Sequence, residues 1–194
     1  MPSKMHLIHP LSLTKIQTAL IKSICCLMLC TIQGTVQSAE PTKFLSLKEL
    51  RERGIVMQKW ENSCASASLA TVMSYAFHDP ISETEVTTEM LKHSDPVKVK
   101  TNGGFSMLDM KKFAELHGYH ADAFRNLSLD DLIIFRAPIV LINNEGINHY
   151  VVFNGIEGDY VQLADPEFGN RQVSIVKFNK IWMNGMAFVL TMEK

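Results

Sequence analysis

Four residues whose types and spacing could do acyl chemistry stand in an ordered series along the chain: Gln58, Cys64 six residues later, His149, and Asp165 sixteen residues beyond that. A thiol becomes a nucleophile when a base holds it as thiolate, and histidine is the side chain suited to that task near neutral pH. A carboxylate can then orient the imidazole, and an amide donor can stabilise the oxyanion that forms on an attacked carbonyl. Each residue also has a plainer reading. Cys64 could be buried apolar filler or half of an intermolecular bridge, His149 a structural residue at a strand start, Asp165 a turn opener before Pro166, and Gln58 an ordinary turn glutamine.

The cysteine count bears on the choice. The first 39 residues carry Lys4, Lys15 and Lys22 as their only charged side chains, followed by an apolar run from Ile24 to Val36. That layout is a secretory leader, with cleavage expected after Ser38 or, alternatively, Ala39. The run is shorter than the roughly 20 residues of a spanning helix, so a retained membrane anchor is the alternative reading. Cleavage would remove Cys25, Cys26 and Cys30 and leave Cys64 as the single thiol. An unpaired cysteine is unusual in an oxidising compartment and cannot form an internal disulfide.

The elements that must position these residues follow from local patterns. Ser46 with Glu49 is a capping box for a short helix that Gly54 ends. Ile55 to Gln58 reads as a brief strand and Lys59 to Asn62 as a polar turn. Ser63 is the expected N-cap of a helix whose apolar side is Leu69, Val72, Met73, Ala76 and Phe77. Cys64 then falls in the first helical turn, where free backbone N–H groups favour negative charge. His78-Asp79-Pro80 closes that helix. A second begins at Ser82 with Glu85, residues 93–104 read as a polar surface loop, and Ser106 with Asp109 opens a third helix with Leu108, Phe113 and Leu116 inward and Gly118 as its stop. Tyr119 to Phe124 reads as a strand and Ser128 to Ile134 as a short capped helix.

The second half is β-rich. Ile139–Ile142, His149–Gly155, Tyr160–Ala164, Arg171–Ile175 and Met186–Met192 are short runs separated by turn signals, with one helical turn over Lys177–Trp182. Close spacing predicts hairpins and an antiparallel sheet, so helices followed by sheet give a two-lobed α+β domain. Pairing through the turn at 157–159 would bring His149 and Asp165 to the same end of the sheet.

Composition narrows the function classes. The chain has 194 residues, 46% hydrophobic and 20% charged, with a formal charge of −1. It suits one folded domain plus a leader, and a near-neutral balance without Lys/Arg runs argues against a nucleic-acid surface. His117 and His120 have a spacing that could serve a metal, but Gly118 breaks the helix between them and no carboxylate or thiol completes a set. His78 and His93 read as surface residues.

Taken together, the four positions resemble the C39 cysteine peptidases, the papain-like domains that remove double-glycine leaders from bacteriocin precursors. The resemblance runs from about Ser46 to Val189. It includes GFSMLDMKKFAELHGYHADAF, the segment Ser128 to Asp131, the Pro138-Ile139-Val140 strand, Asp165-Pro166 with Gly169, and the Trp182 region. It implies a papain-like fold for residues 40–194, with Cys64 as nucleophile, His149 as base and acid, Asp165 as its orienter and Gln58 in the oxyanion hole, and no metal or organic cofactor. The LKELR helix makes the chain most similar to stand-alone periplasmic members, including those encoded with functional-amyloid secretion systems. Those usually carry glycine after the cysteine, where this chain has Ala65. The expectations are an exported, periplasmic enzyme whose partner is a peptide or protein substrate of a secretion or amyloid system, cut after small residues. The membrane would be met only through the leader. Alternatives are a binding module that holds such a substrate without cutting it, and transfer in place of hydrolysis.

Overall fold

The computed structural model describes residues 45–192. The expected leader, residues 1–39, lies outside the described residues. Seven α-helices and six strands follow in order: α1 (Leu47–Arg51), α2 (Cys64–Thr71), α3 (Glu83–His93), α4 (Pro96–Thr101), α5 (Met107–Leu116), β1 (His120–Phe124), α6 (Leu129–Ile134), β2 (Ile139–Asn144), β3 (Ile147–Glu157), β4 (Tyr160–Asp165), β5 (Gly169–Ser174), α7 (Ile175–Ile181) and β6 (Trp182–Thr191). Helices come first and sheet second, as the α+β reading expects.

Four helices start on reciprocal capping boxes: Ser46 with Glu49, Ser82 with Glu85, Ser106 with Asp109 and Ser128 with Asp131. Each satisfies two backbone donors that a helix start otherwise leaves open. The central helix departs from this pattern. Every residue of α2 is buried, and it passes directly into a π-helical turn over Val72–Ala76, closed by Phe77 N–H on Val72 O. His78 follows with a positive φ of 59°, ending the helix where the Asp79-Pro80 signal places its stop.

The strands form one antiparallel sheet in the order β1-β6-β2-β3-β4-β5. Hairpins β2-β3, β3-β4 and β4-β5 are local, whereas β6 inserts between β1 and β2. The two-residue turn Glu145-Gly146 joins β2 to β3 with both φ angles positive, the geometry that matches the twist of a hairpin. Strand residues alternate between two cores. Ile139, Val152, Ala164, Phe188 and Leu190 face a core with Leu69, Val72, Met73, Val86, Met110 and Phe113 of the helical layer. Val140, Ile142, Val151, Leu163 and Ala187 face a second core closed by Leu132 of α6 and Phe178 of α7. Burial on both sides fixes strand register, because a one-residue slip would exchange the two sets.

Four local expectations need correction. Ile55 to Gln58 forms no strand: Val56 N–H bonds to Thr71 Oγ1 and Gln58 N–H to Pro166 O, so the segment is an extended strap between helix and turn. Residues 93–104 are not all loop, since Asp95 caps α4 with Pro96 at its first position. Leu108 and Leu116 are exposed, and the inward side of α5 is Met110, Phe113 and Ala114. Ser63 occupies the N-cap position of α2 but makes no cap hydrogen bond; its hydroxyl lies 2.6 Å from Glu83 Oε1 and 2.8 Å from Trp60 O.

Candidate active site

Cys64 is the first residue of α2 and is buried. One turn on, Ser68 donates its hydroxyl to Tyr150 O at 3.2 Å. That bond joins the helix carrying the thiol to the strand carrying His149 at the very next residue. Cys64 is close enough to the imidazole to act on it as a hydrogen-bond partner.

His149 and Asp165 meet as the hairpin reading expects. β3 and β4 pair through the turn after Glu157, with a bulge between Phe153 and Ile156. His149 Nε2 donates to Asp165 Oδ1 at 2.8 Å. With Nε2 committed to the carboxylate, Nδ1 is the ring nitrogen left for the sulfur. Burial, the largest single influence, pulls the imidazole down, but the bond to Asp165 and the hydrogen bond and charge of Cys64 outweigh it and hold His149 at about 9. Burial likewise pushes Asp165 up, and the His149 bond with the nearby Arg171 cation and the Glu167 N–H brings it below the usual carboxylate range. The two shifts agree on a charged pair at neutral pH.

Asp165 itself is fully buried. Its Oδ1 also accepts the N–H groups of Glu167 (2.9 Å) and Phe168 (3.3 Å), and its Oδ2 accepts Arg171 Nε–H at 2.7 Å, with Arg171 Nη2 in ion-pair contact at 2.7 Å. Arg171 escaped the sequence reading. The signal was the strand alternation: β5 pairs Arg171 with Leu163 and Gly169 with Asp165, which places Arg171 on the face of the carboxylate. α1 braces the same turn. Arg51 Nη2 donates to Phe168 O, Asn170 Nδ2 donates to Arg53 O, and Gly169, with φ 80°, admits the Arg51 carbonyl at a place where a Cβ would sit 2.8 Å from it.

Gln58 lies on the strap before α2, its N–H bonded to the carbonyl of Pro166, the residue after Asp165. Its side chain is half-buried, and Oε1 has no partner among the described residues. The five-residue loop 59–63 links it to Cys64. Tyr150 flanks the thiol side; burial, joined by the charges of Cys64 and Asp109, pushes its phenol up to about 12, so it stays neutral. His78, His93 and His117 are placed apart from the His149–Asp165 pair. His78 and His93 are exposed, His93 with Glu89 beside it, and His117 is bonded to Phe113 O. Among the described residues no group of three or more His, Cys, Asp or Glu is arranged to hold a metal.

The backbone has known counterparts. A double-glycine-motif protease from an AMS/PCAT transporter, solved with its leader peptide, aligns with a TM-score of 0.59 at 23% identity, covering 72% of this chain and 91% of that one. The peptidase domain of Streptococcus ComA, a bifunctional ABC transporter, aligns with a TM-score of 0.59 at 21% identity, covering 72% and 98%. These establish the papain-like peptidase fold. In sequence the chain is 38% identical over 146 residues to the "Probable functional amyloid protease FapD" of Pseudomonas aeruginosa and 36% identical over 152 residues to that of Pseudomonas fluorescens. The alignments take in 75% and 78% of this chain, and it spans 63% and 66% of those relatives. The profile of the Peptidase C39 family matches residues 52–194. Since that stretch takes in Gln58, Cys64, His149 and Asp165 together, the chain belongs to the peptidase C39 family.

Proposed function

We propose that the chain is an exported cysteine peptidase that cuts a protein substrate of a secretion or functional-amyloid system after small residues. The observation that carries the reading is His149, bonded through Nε2 to a buried carboxylate while its other face meets the Cys64 sulfur at a helix start. The relatives named as amyloid proteases support the substrate class, and the leader-like first 39 residues support export.

The chemistry follows from these groups. The Cys64 thiolate attacks the scissile carbonyl, and the oxyanion is received by backbone N–H at the α2 start and by the Gln58 amide. The imidazolium of His149 gives its Nδ1 proton to the leaving amine, producing a thioester and free amine. His149, now neutral, takes a proton from water as it attacks the thioester, releasing the acid and restoring the thiolate–imidazolium pair. Asp165 keeps the ring in place throughout. Small residues at the cut are the expectation that comes with the likeness to a double-glycine-motif protease.

The test compares the termini of secreted proteins from cells carrying the native chain and Cys64→Ala. A fragment whose new terminus disappears in the variant supports the reading and identifies the substrate. A variant that retains full function in the cell would mean that cutting is dispensable, and would favour a module that only holds its substrate.

A further inference from the structure

We propose that Glu83 is a positioning residue for this reaction, setting the separation of Gln58 and Cys64 through one buried carboxyl oxygen. The inference rests on the peptidase reading above and extends it to a residue outside the four. Glu83 opens α3 and is 1% exposed. Its Oε1 accepts Lys59 N–H at 3.0 Å and lies 2.6 Å from Ser63 Oγ. Lys59 directly follows Gln58, and Ser63 directly precedes Cys64. One oxygen therefore closes the loop between them at both of its ends.

The helix has no need of this group. Ser82 and Glu85 already form the reciprocal cap of α3, and the core side of that helix is Val86 and Met90. Burying a carboxyl is costly, and Glu83 Oε2 has no partner among the described residues. The loop it closes lacks a regular alternative. Asn62 has a φ of 65°, its carbonyl packs where a Cβ on Gly104 would sit 2.8 Å away, and Ser63 spends its hydroxyl on Glu83 and Trp60 instead of capping α2. An oxyanion site works through the distance between donor and nucleophile, so the bond that sets this distance acts on catalysis without touching substrate.

Two reactions of the thiol separate this role from a merely structural one. Acylation by p-nitrophenyl acetate generates an oxyanion, whereas alkylation by iodoacetamide proceeds at saturated carbon and does not. In the full chain, Glu83→Ala is expected to slow acylation by about tenfold to a hundredfold, less than the 10²–10³ that loss of an oxyanion donor costs, while alkylation of Cys64 stays within about twofold. Glu83→Gln keeps the Oε1 acceptor and is expected to restore acylation. Ser63→Ala removes one of the two closures and carries the test if Glu83→Ala does not fold; about threefold to tenfold is expected, the effect of one hydrogen bond. An unchanged ratio of acylation to alkylation, a parallel fall of both, or a Gln variant as slow as the Ala variant would each overturn the proposal. Failure of the underlying reading looks different: Gln58→Ala would then acylate as fast as the native chain.

Discussion

The carboxylate of Asp165 takes three hydrogen bonds on one oxygen, from His149 and two backbone N–H groups, and one on the other from Arg171 Nε, with Arg171 Nη2 in ion-pair contact beside it. The loop that leads into Cys64, by contrast, is closed at both ends by a single oxygen of Glu83. The base side of the site gathers several donors onto one carboxylate, whereas on the nucleophile side one oxygen ties both ends of the loop, with the Gln58 N–H on Pro166 O and the buried α2 as its further supports. The difference matches what each side must do. A base has to hold one ring orientation while its charge changes, whereas an oxyanion site must admit a carbonyl between its donors. Substitutions on the two sides are therefore expected to fail differently: through pH dependence on the first, through reaction type on the second.

The largest effect expected on the base side comes from Asp165→Asn. It removes the main influence that holds His149 up, and hydrolysis is expected to fall by about 10²–10⁴ as the ring loses its orientation. The pH profile carries the sharper signature. His149 is raised from 6.5 to about 9, so the imidazolium that protonates the leaving amine persists until pH passes about 9, and the native alkaline limb belongs there. In the variant that limb moves down toward 6.5. Stability follows the same sign. A group whose folded value is raised stabilises the fold fully below its ordinary value and loses that contribution as pH rises through the folded one. Denaturation midpoints of the native chain should thus decline between pH 6.5 and about 9, and the decline should shrink in Asp165→Asn. An alkaline limb that stays near 9 without the carboxylate would remove Asp165 from the base side.

Arg171→Met is expected to have a smaller and differently shaped effect. It leaves the His149–Asp165 bond in place, so the alkaline limb should stay near 9 while the rate falls by only a few fold. The cost appears in stability instead. Asp165 is fully buried and loses both partners of Oδ2, whereas the Arg171 side chain is 30% exposed, so about 1–3 kcal/mol is expected, read as a lower denaturation midpoint. A limb that moves with Arg171 would mean that the guanidinium tunes the imidazole directly.

The same contrast explains what could be read from sequence. The base side was legible because strands announce themselves: the β-branched run after His149, the turn at 157–159 and Asp165-Pro166 fix the hairpin, and the hairpin fixes the pair. Arg171 belonged to that register and needed only the alternation of β5. The nucleophile side was half legible. Cys64 at a helix start follows from the apolar run, but Ser63 has the pattern of a cap and is bonded elsewhere, and nothing local in the sequence distinguishes Glu83 from another first-turn acid of a capped helix. A long-range bond from a side chain to a loop backbone leaves no local pattern. The π-helical turn after Thr71 and the entry of β6 between β1 and β2 were hidden for a related reason, since both are settled by packing against residues far along the chain. Leu108 and Leu116 were misjudged because they are apolar at roughly helical spacing, while the side of α5 that meets the core is set by Met110, Phe113 and Ala114.

The smallest effect expected concerns the link between the two sides. Ser68 is fully buried on α2 and bonds the Tyr150 carbonyl across to β3. Ser68→Ala removes one neutral hydrogen bond, a loss of about 0.5–1.5 kcal/mol, and gains part of it back through the better helix propensity of alanine. The acceptor left behind is a strand carbonyl, and no buried donor is orphaned. Midpoints of denaturation should therefore shift by about 1 kcal/mol or less, and hydrolysis should stay within about twofold, because the core between the helical layer and the sheet, with Ala65, Leu69 and Ala70 in it, continues to hold α2 in place. A loss of rate well beyond that, with the fold intact, would show that the thiol and the imidazole are aligned by this one bond rather than by packing.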